Sequence, residues 1–161
     1  MEPRIKITQL LKWTSLLVMM ALWIGTAAKN VDDWGTSDPN FAKARTAVEE
    51  GRFQLALQYL KRAESLDPDN ADIHNLIGFS YRNIGNVDLA FIHYRKALEL
   101  DSQHVGAHEY LGELYLLQDE PSLAQEHLTA IENSPACAGG CEALEELKSA
   151  IEAYHETHAG Q

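Results

Sequence analysis

The chain has 161 residues, with 13 Lys and Arg against 24 Asp and Glu, a formal net charge of −11, and two cysteines. So acidic a surface repels nucleic acid and anionic membranes, both of which are bound through clustered Lys and Arg. Two cysteines with one nearby His127 fall short of the four ligands a structural zinc site needs.

The first element is a targeting segment. Arg4, Lys6 and Lys12 make a positive start, Trp13–Ile24 is a mostly apolar run, and Gly25-Thr26-Ala27-Ala28 supplies small residues for a cut. This is the three-part layout of a secretory signal. Twelve residues of helix span only ~18 Å, short of a ~30 Å hydrocarbon core. Residues 1–27 are therefore expected to be a signal peptide cleaved after Ala27 or Ala28, leaving no stable membrane insertion. An uncleaved anchor would face the same domain into the same compartment. Taking Arg4, Lys6, Lys12 and Glu2 away from 13 basic and 24 acidic residues leaves a mature net charge of −13.

Residues 28–36 are polar and contain a glycine, and read as a linker. Beyond them the sequence repeats every 34 residues. Ala71–His104 and Val105–Ala138 place small and large residues at nearly the same offsets, and Ser37–Asn70 does so more loosely. A period of this length marks a solenoid of stacked helix pairs. In the middle copy Ile73, Leu76, Ile77, Tyr81 and Ile84 fall at helical spacing, as do Leu89, Ala90, Tyr94, Ala97 and Leu98. Gly85-Asn86 divides the two sets, where a helix would end on a left-handed residue. Gly78 and Ala90 are expected at the closest approach of the two helices, with Tyr81 and Tyr94 filling the space around them.

The combination Ile77-Gly78, Tyr81, Ala90, Tyr94 and Ala97 resembles the tetratricopeptide repeat. Leu111-Gly112, Tyr115, Ala124 and Leu128 match in the third copy, which carries Ile131 where a small residue is usual. The first copy matches mainly through Gly51, Phe53, Ala56, Leu60, Ala63 and Pro68. It departs at Lys43, Ala44 and Ala47, where larger apolar groups are expected. The resemblance implies an all-α, right-handed α-solenoid with three helix pairs, at 37–70, 71–104 and 105–138, and a capping helix and tail at 139–161. In that last segment Leu144, Leu147, Ile151 and Tyr154 form one apolar stripe, suited to covering the third repeat.

The resemblance also implies a concave groove lined by the first helix of each repeat. Asp38, Phe41, Arg45 and Val48 would face it, then Asp72, Asn75, Phe79, Arg82 and Asn83, then Glu109, Glu113 and Leu116. Arg45, Asn75, Phe79, Arg82, Glu109 and Glu113 are the strongest candidates for holding a protein or peptide. The Asn75 amide could pair with both backbone groups of an extended chain, and Phe79 could seat an apolar side chain. Domains of this family that clamp a C-terminal carboxylate use Lys and Arg on these helices. Gly106 and Tyr110 stand at two of the matching positions, which argues against a carboxylate clamp.

Cys137 and Cys141 flank Ala138-Gly139-Gly140. In an oxidising compartment two cysteines so close pair readily, and the glycines let so small a ring close. Two other readings stand beside a structural disulfide: a pair of soft sulfurs for Cu(I), or a labile redox bridge. The histidines follow the period, His74 with His108 and His93 with His127, which points to repeated packing positions, and no metal site or cofactor is expected. No Gly-rich phosphate loop, Gly-x-Ser-x-Gly elbow or His-Glu-x-x-His helix occurs, so no catalytic residue is assigned. The carboxylates of Glu49-Glu50 and Glu145-Glu146 read as a solvated face. The expected function is non-enzymatic protein binding in the bacterial envelope, periplasmic or secreted. The alternative is a copper carrier or thiol-redox protein built on Cys137 and Cys141.

Overall fold

The computed structural model describes residues 38–159, and among these are seven α-helices, one 3-10 turn and no strand. The expected signal peptide and linker lie outside the described residues. The helices are α1 Pro39–Glu49, α2 Phe53–Leu66, α3 Ala71–Asn83, α4 Val87–Leu100, α5 Val105–Leu117, α6 Pro121–Glu132 and α7 Glu142–His158. The 3-10 turn is Pro135–Cys137.

Local chemistry sets where each helix starts. Asp38 accepts from the Asn40 N–H at 3.0 Å, with Pro39 opening α1. Asn70 accepts from Ile73 at 3.2 Å, and Asn86 from Leu89 at 3.2 Å. A side-chain oxygen in this place satisfies one of the donors a helix start leaves open. His104 does the same for α5 with a ring nitrogen, Nδ1 accepting from Ala107 N–H at 3.1 Å. The turns inside the helix pairs share one device. Gly51 at φ 69°, Gly85 at φ 83° and Asp119 at φ 64° take left-handed backbone at the same place in the 34-residue period. Asp119 is the only non-glycine to do so among the described residues.

Each helix packs on its neighbours in the chain, α1 also touches α3, α3 also touches α5, and α7 lies against both α5 and α6. The fold is an α-solenoid. Its core is periodic like the sequence. Ala56, Ala90 and Ala124 are fully buried, and so are Ala63, Ala97 and Ile131. One further set varies in size: Leu60, Tyr94 and Leu128, all buried. Ala44, Gly78 and Gly112, one from the first helix of each pair, are buried too, Gly78 against Tyr94 and Gly112 against Leu147. Burying a large side chain such as Leu60, Ile73, Leu114 or Leu147 stabilises by about 1.5–3 kcal/mol each.

The first pair differs from the sequence expectation. Ala44 is 0% exposed and Ala47 2%, so α1 docks closely without the larger groups expected there. The period explains it: Ala44 occupies the place of Gly78 and Gly112, where the helix approach demands a small residue. Phe41, expected in the groove, is 2% exposed and belongs to the core with Leu60 and Ile73.

Candidate partner-binding groove

A groove of about 820 Å³ runs between α3, α5 and α7. Phe79 and Arg82 line it from α3, and Glu109, Tyr110 and Glu113 from α5. From α7 come Glu142, Glu145, Glu146, Ser149, Ala150 and Ala153. A smaller hollow of about 370 Å³ lies between α1 and α2, lined by Lys43, Glu50, Arg52 and Tyr59 among others. The larger groove is the stronger candidate because three helices converge on it and its floor is aromatic.

That floor is ordered by ring packing. Phe79 meets Phe53 edge-on with centroids 6.0 Å apart, and lies 5.1 Å from Tyr110. Tyr110 in turn stands 5.6 Å from the fully buried Tyr94. Such pairs hold rings in fixed places, so the groove presents a rigid apolar base. Burial raises the Tyr110 phenol above its ordinary range, so it stays a neutral donor.

Carboxylates rim that base. Arg82 forms a half-buried ion pair with Glu113. Glu109 is only 5% exposed, and burial is the main force pushing its carboxyl up, to about 8. A hydrogen bond with Glu146 and the charges of Glu146 and Glu113 act in the same direction, against Arg82. Glu109 therefore keeps its proton at neutral pH.

Four of the six residues singled out from the sequence meet in this groove: Phe79, Arg82, Glu109 and Glu113. Arg45 and Asn75 do not line it. The Asn75 amide oxygen is buried, and its nitrogen stands beside Gly106 of α5, 3.3 Å from where a methyl there would lie. The amide nitrogen thus lies against α5, away from the groove lining. Sequence reasoning missed Tyr110 and the α7 carboxylates. Glu142, Glu146, Ser149 and Ala153 share one helical face away from the Leu147 and Ile151 stripe, but that spacing alone does not say which helix the face meets.

Cys137 closes the 3-10 turn and Cys141 precedes α7, so they do not lie on one helical turn. Their sulfurs stand at bonding distance, 1.94 Å, with the Cα atoms 5.2 Å apart. Gly139 and Gly140 both take positive φ between them, at 97° and 102°.

The histidines form two equivalent pairs. His74 Nδ1 lies 3.2 Å from His93 Nδ1, and His108 Nδ1 lies 2.7 Å from His127 Nδ1. In each pair the first ring also meets a backbone carbonyl of the preceding turn, Pro68 at 2.8 Å and Ser102 at 3.1 Å. Their recurrence therefore records a repeated hydrogen-bonded pin between the two helices of a pair. His104 and His108, four residues apart, go separate ways: His104 Nε2 pairs with Asp72 at 3.1 Å.

The family model for the tetratricopeptide repeat matches residues 41–105, from α1 to the start of α5. Residues 41–105 are thus similar to the tetratricopeptide repeat family. Among solved structures it is similar to the Yersinia enterocolitica type III secretion translocator chaperone SycD, at 19% sequence identity and a TM-score of 0.63. The match covers 74% of this chain and 83% of that one. It supports the tetratricopeptide-type fold. No significant match is found among curated proteins. Tetratricopeptide arrays are protein-interaction modules, in which stacked helix pairs build an extended binding surface.

Proposed function

We propose that this chain is a non-enzymatic binding module of the bacterial envelope that holds an extended segment of a partner protein in the α3–α5–α7 groove. The observation that carries this reading is the pairing of an aromatic base, Phe79 and Tyr110, with a rim of carboxylates relieved by a single arginine. An apolar or aromatic side chain of the partner would rest on Phe79 and Tyr110. Flanking Lys or Arg side chains would meet Glu142, Glu145 and Glu146. Charge complementarity of this kind selects the partner and speeds its arrival more than it deepens affinity.

The charge-tailed, apolar N-terminus with small residues at Gly25–Ala28 supports export, and an oxidising compartment suits a Cys137–Cys141 bridge. The bridge would fix the approach to α7, which supplies half of the groove wall. Intact mass of the protein recovered from its native envelope checks both points, since cleavage removes residues 1–27 or 1–28 and a bridge removes two daltons.

The binding test uses synthetic decapeptides, each with one central Phe or Leu flanked by Lys, Ser or Glu. Fluorescence anisotropy should rank them Lys over Ser over Glu, with the order compressed at high salt. Phe79→Ala should weaken all three series alike, whereas Glu145→Lys with Glu146→Lys should reverse the order. Equal binding of all peptides by both variants would exclude the groove.

A further inference from the structure

We propose that Glu64, His74 and His93 form a binding site for a divalent transition metal of the Zn²⁺ type, joining the first helix pair to the second. The three residues come from three successive helices, α2, α3 and α4, and one donor atom from each lies within 4.8 Å of the other two. Two of the edges are defined: His74 Nδ1 to His93 Nδ1 is 3.2 Å, and His74 Nδ1 to Glu64 Oε1 is 3.6 Å. Ligands about 2.0–2.1 Å from a tetrahedral ion stand about 3.4 Å from one another. The spacing already present is that of a coordination shell.

The protonation pattern fits as well. His74 Nε2 lies 2.8 Å from the Pro68 carbonyl, which can only accept, so Nε2 carries the proton and Nδ1 keeps its lone pair. A ligand histidine held by its second nitrogen on a backbone carbonyl is the usual supporting arrangement of metal sites. Without metal, His93 Nδ1–H donates to His74 Nδ1. On binding, His93 shifts its proton to Nε2, and both Nδ1 lone pairs turn to the ion. The ring of Tyr81, 5.7 Å from His93 and nearly parallel to it, holds that imidazole in place. The Glu64 side chain is 31% exposed, which gives the ion an entry path and leaves a fourth position to water. Two imidazoles and one carboxylate suit Zn²⁺, with Cu²⁺ and Ni²⁺ as competitors.

The molecule contains its own control. His108 and His127 repeat the imidazole pair 34 residues on, but Leu98 stands there in the place of Glu64. That pair offers two donors and no carboxylate.

The test is titration of the full chain with Zn²⁺, read by calorimetry and thermal melting, and with Co²⁺, read by visible absorption. One site per chain is expected, with a raised Tm and a four-coordinate Co²⁺ spectrum. Glu64→Gln, a half-exposed position that leaves the helices intact, should weaken binding at least tenfold. His93→Tyr, which installs the residue found at Tyr59 in the first pair, should abolish it. His127→Tyr should leave the affinity unchanged. Binding that survives Glu64→Gln and His93→Tyr at full strength, or fails altogether in the unaltered chain, overturns the proposal.

Discussion

Gly78 lies directly against the ring of Tyr94: a methyl placed on Gly78 would stand 2.7 Å from two of the ring carbons. Tyr94 is fully buried and cannot swing aside. Gly78→Ala is expected to cost about 1–3 kcal/mol in urea unfolding, as overpacking does in a close-packed interior. The first helix pair shows the remedy, because Ala44 and Leu60 occupy the places of Gly78 and Tyr94 in the period and share one core cluster. Adding Tyr94→Leu to Gly78→Ala should therefore cost less than the two changes separately, and a double-mutant cycle measures the difference. Strict additivity would mean that the two side chains do not set each other's size.

The third pair solves the same problem with the capping helix. A methyl on Gly112 would meet both Leu147 methyl carbons, at 2.7 and 2.8 Å. Leu147 is fully buried among Ala124, Leu128 and Ile131. Leu147→Ala should destabilise by about 2–5 kcal/mol. Deleting residues 141–161 should expose that cluster and make the array aggregate, which light scattering would detect. A soluble, cooperatively melting truncation would show that α7 is dispensable.

Two acid–base groups, the half-buried His127 and the buried Glu109, should give stability opposite slopes with pH. Burial, with His108 beside it, lowers His127 to about 4, so the ring is neutral in the folded chain and protonates near 6.5 when unfolded. The unfolded state then binds more protons between those values, and stability falls as pH drops from 6.5 to 4. His127→Tyr should flatten this slope in a series of melts.

Glu109 works the other way. Its carboxyl is held up to about 8, whereas the unfolded chain ionises near 4.5. Its contribution is complete below 4.5 and is lost as pH rises through 8. Glu109→Gln removes the penalty for ionising, so it should raise Tm at pH 8 by about 3 °C and change it little at pH 4. Equal shifts at the two pH values would mean that Glu109 is not protonated in the folded state.

The helix pairs were legible in the sequence because a 34-residue period repeats small residues where helices must approach, as Gly78, Ala90 and Ala97 do. The capping helix was legible from its Leu144, Leu147 and Ile151 stripe. The first pair was harder to read: Ala44 looks like a lost apolar residue until Leu60 is seen to stand at the place of Tyr94 in the period, in the same core cluster. In the groove, Phe79, Arg82, Glu109 and Glu113 followed from their place on first helices, while Phe41 and Asn75 share the place of Glu109 and turn inward. No spacing rule could place Glu142, Glu145 and Glu146 beside Phe79, because that neighbourhood depends on how α7 closes over α5. The histidine period was visible, but the pairing of His74 with His93 joins positions 19 residues apart on facing helices, which no local pattern records.

The most direct test of the groove is photo-crosslinking in the native cell, with a photoreactive amino acid at Ser149 inside the groove or at the exposed Gln125 of α6, outside it. Ser149 should capture one or a few discrete proteins, lost when Phe79→Ala is added, and Gln125 should capture none of them. The same proteins crosslinked from both positions, undiminished by Phe79→Ala, would contradict the account.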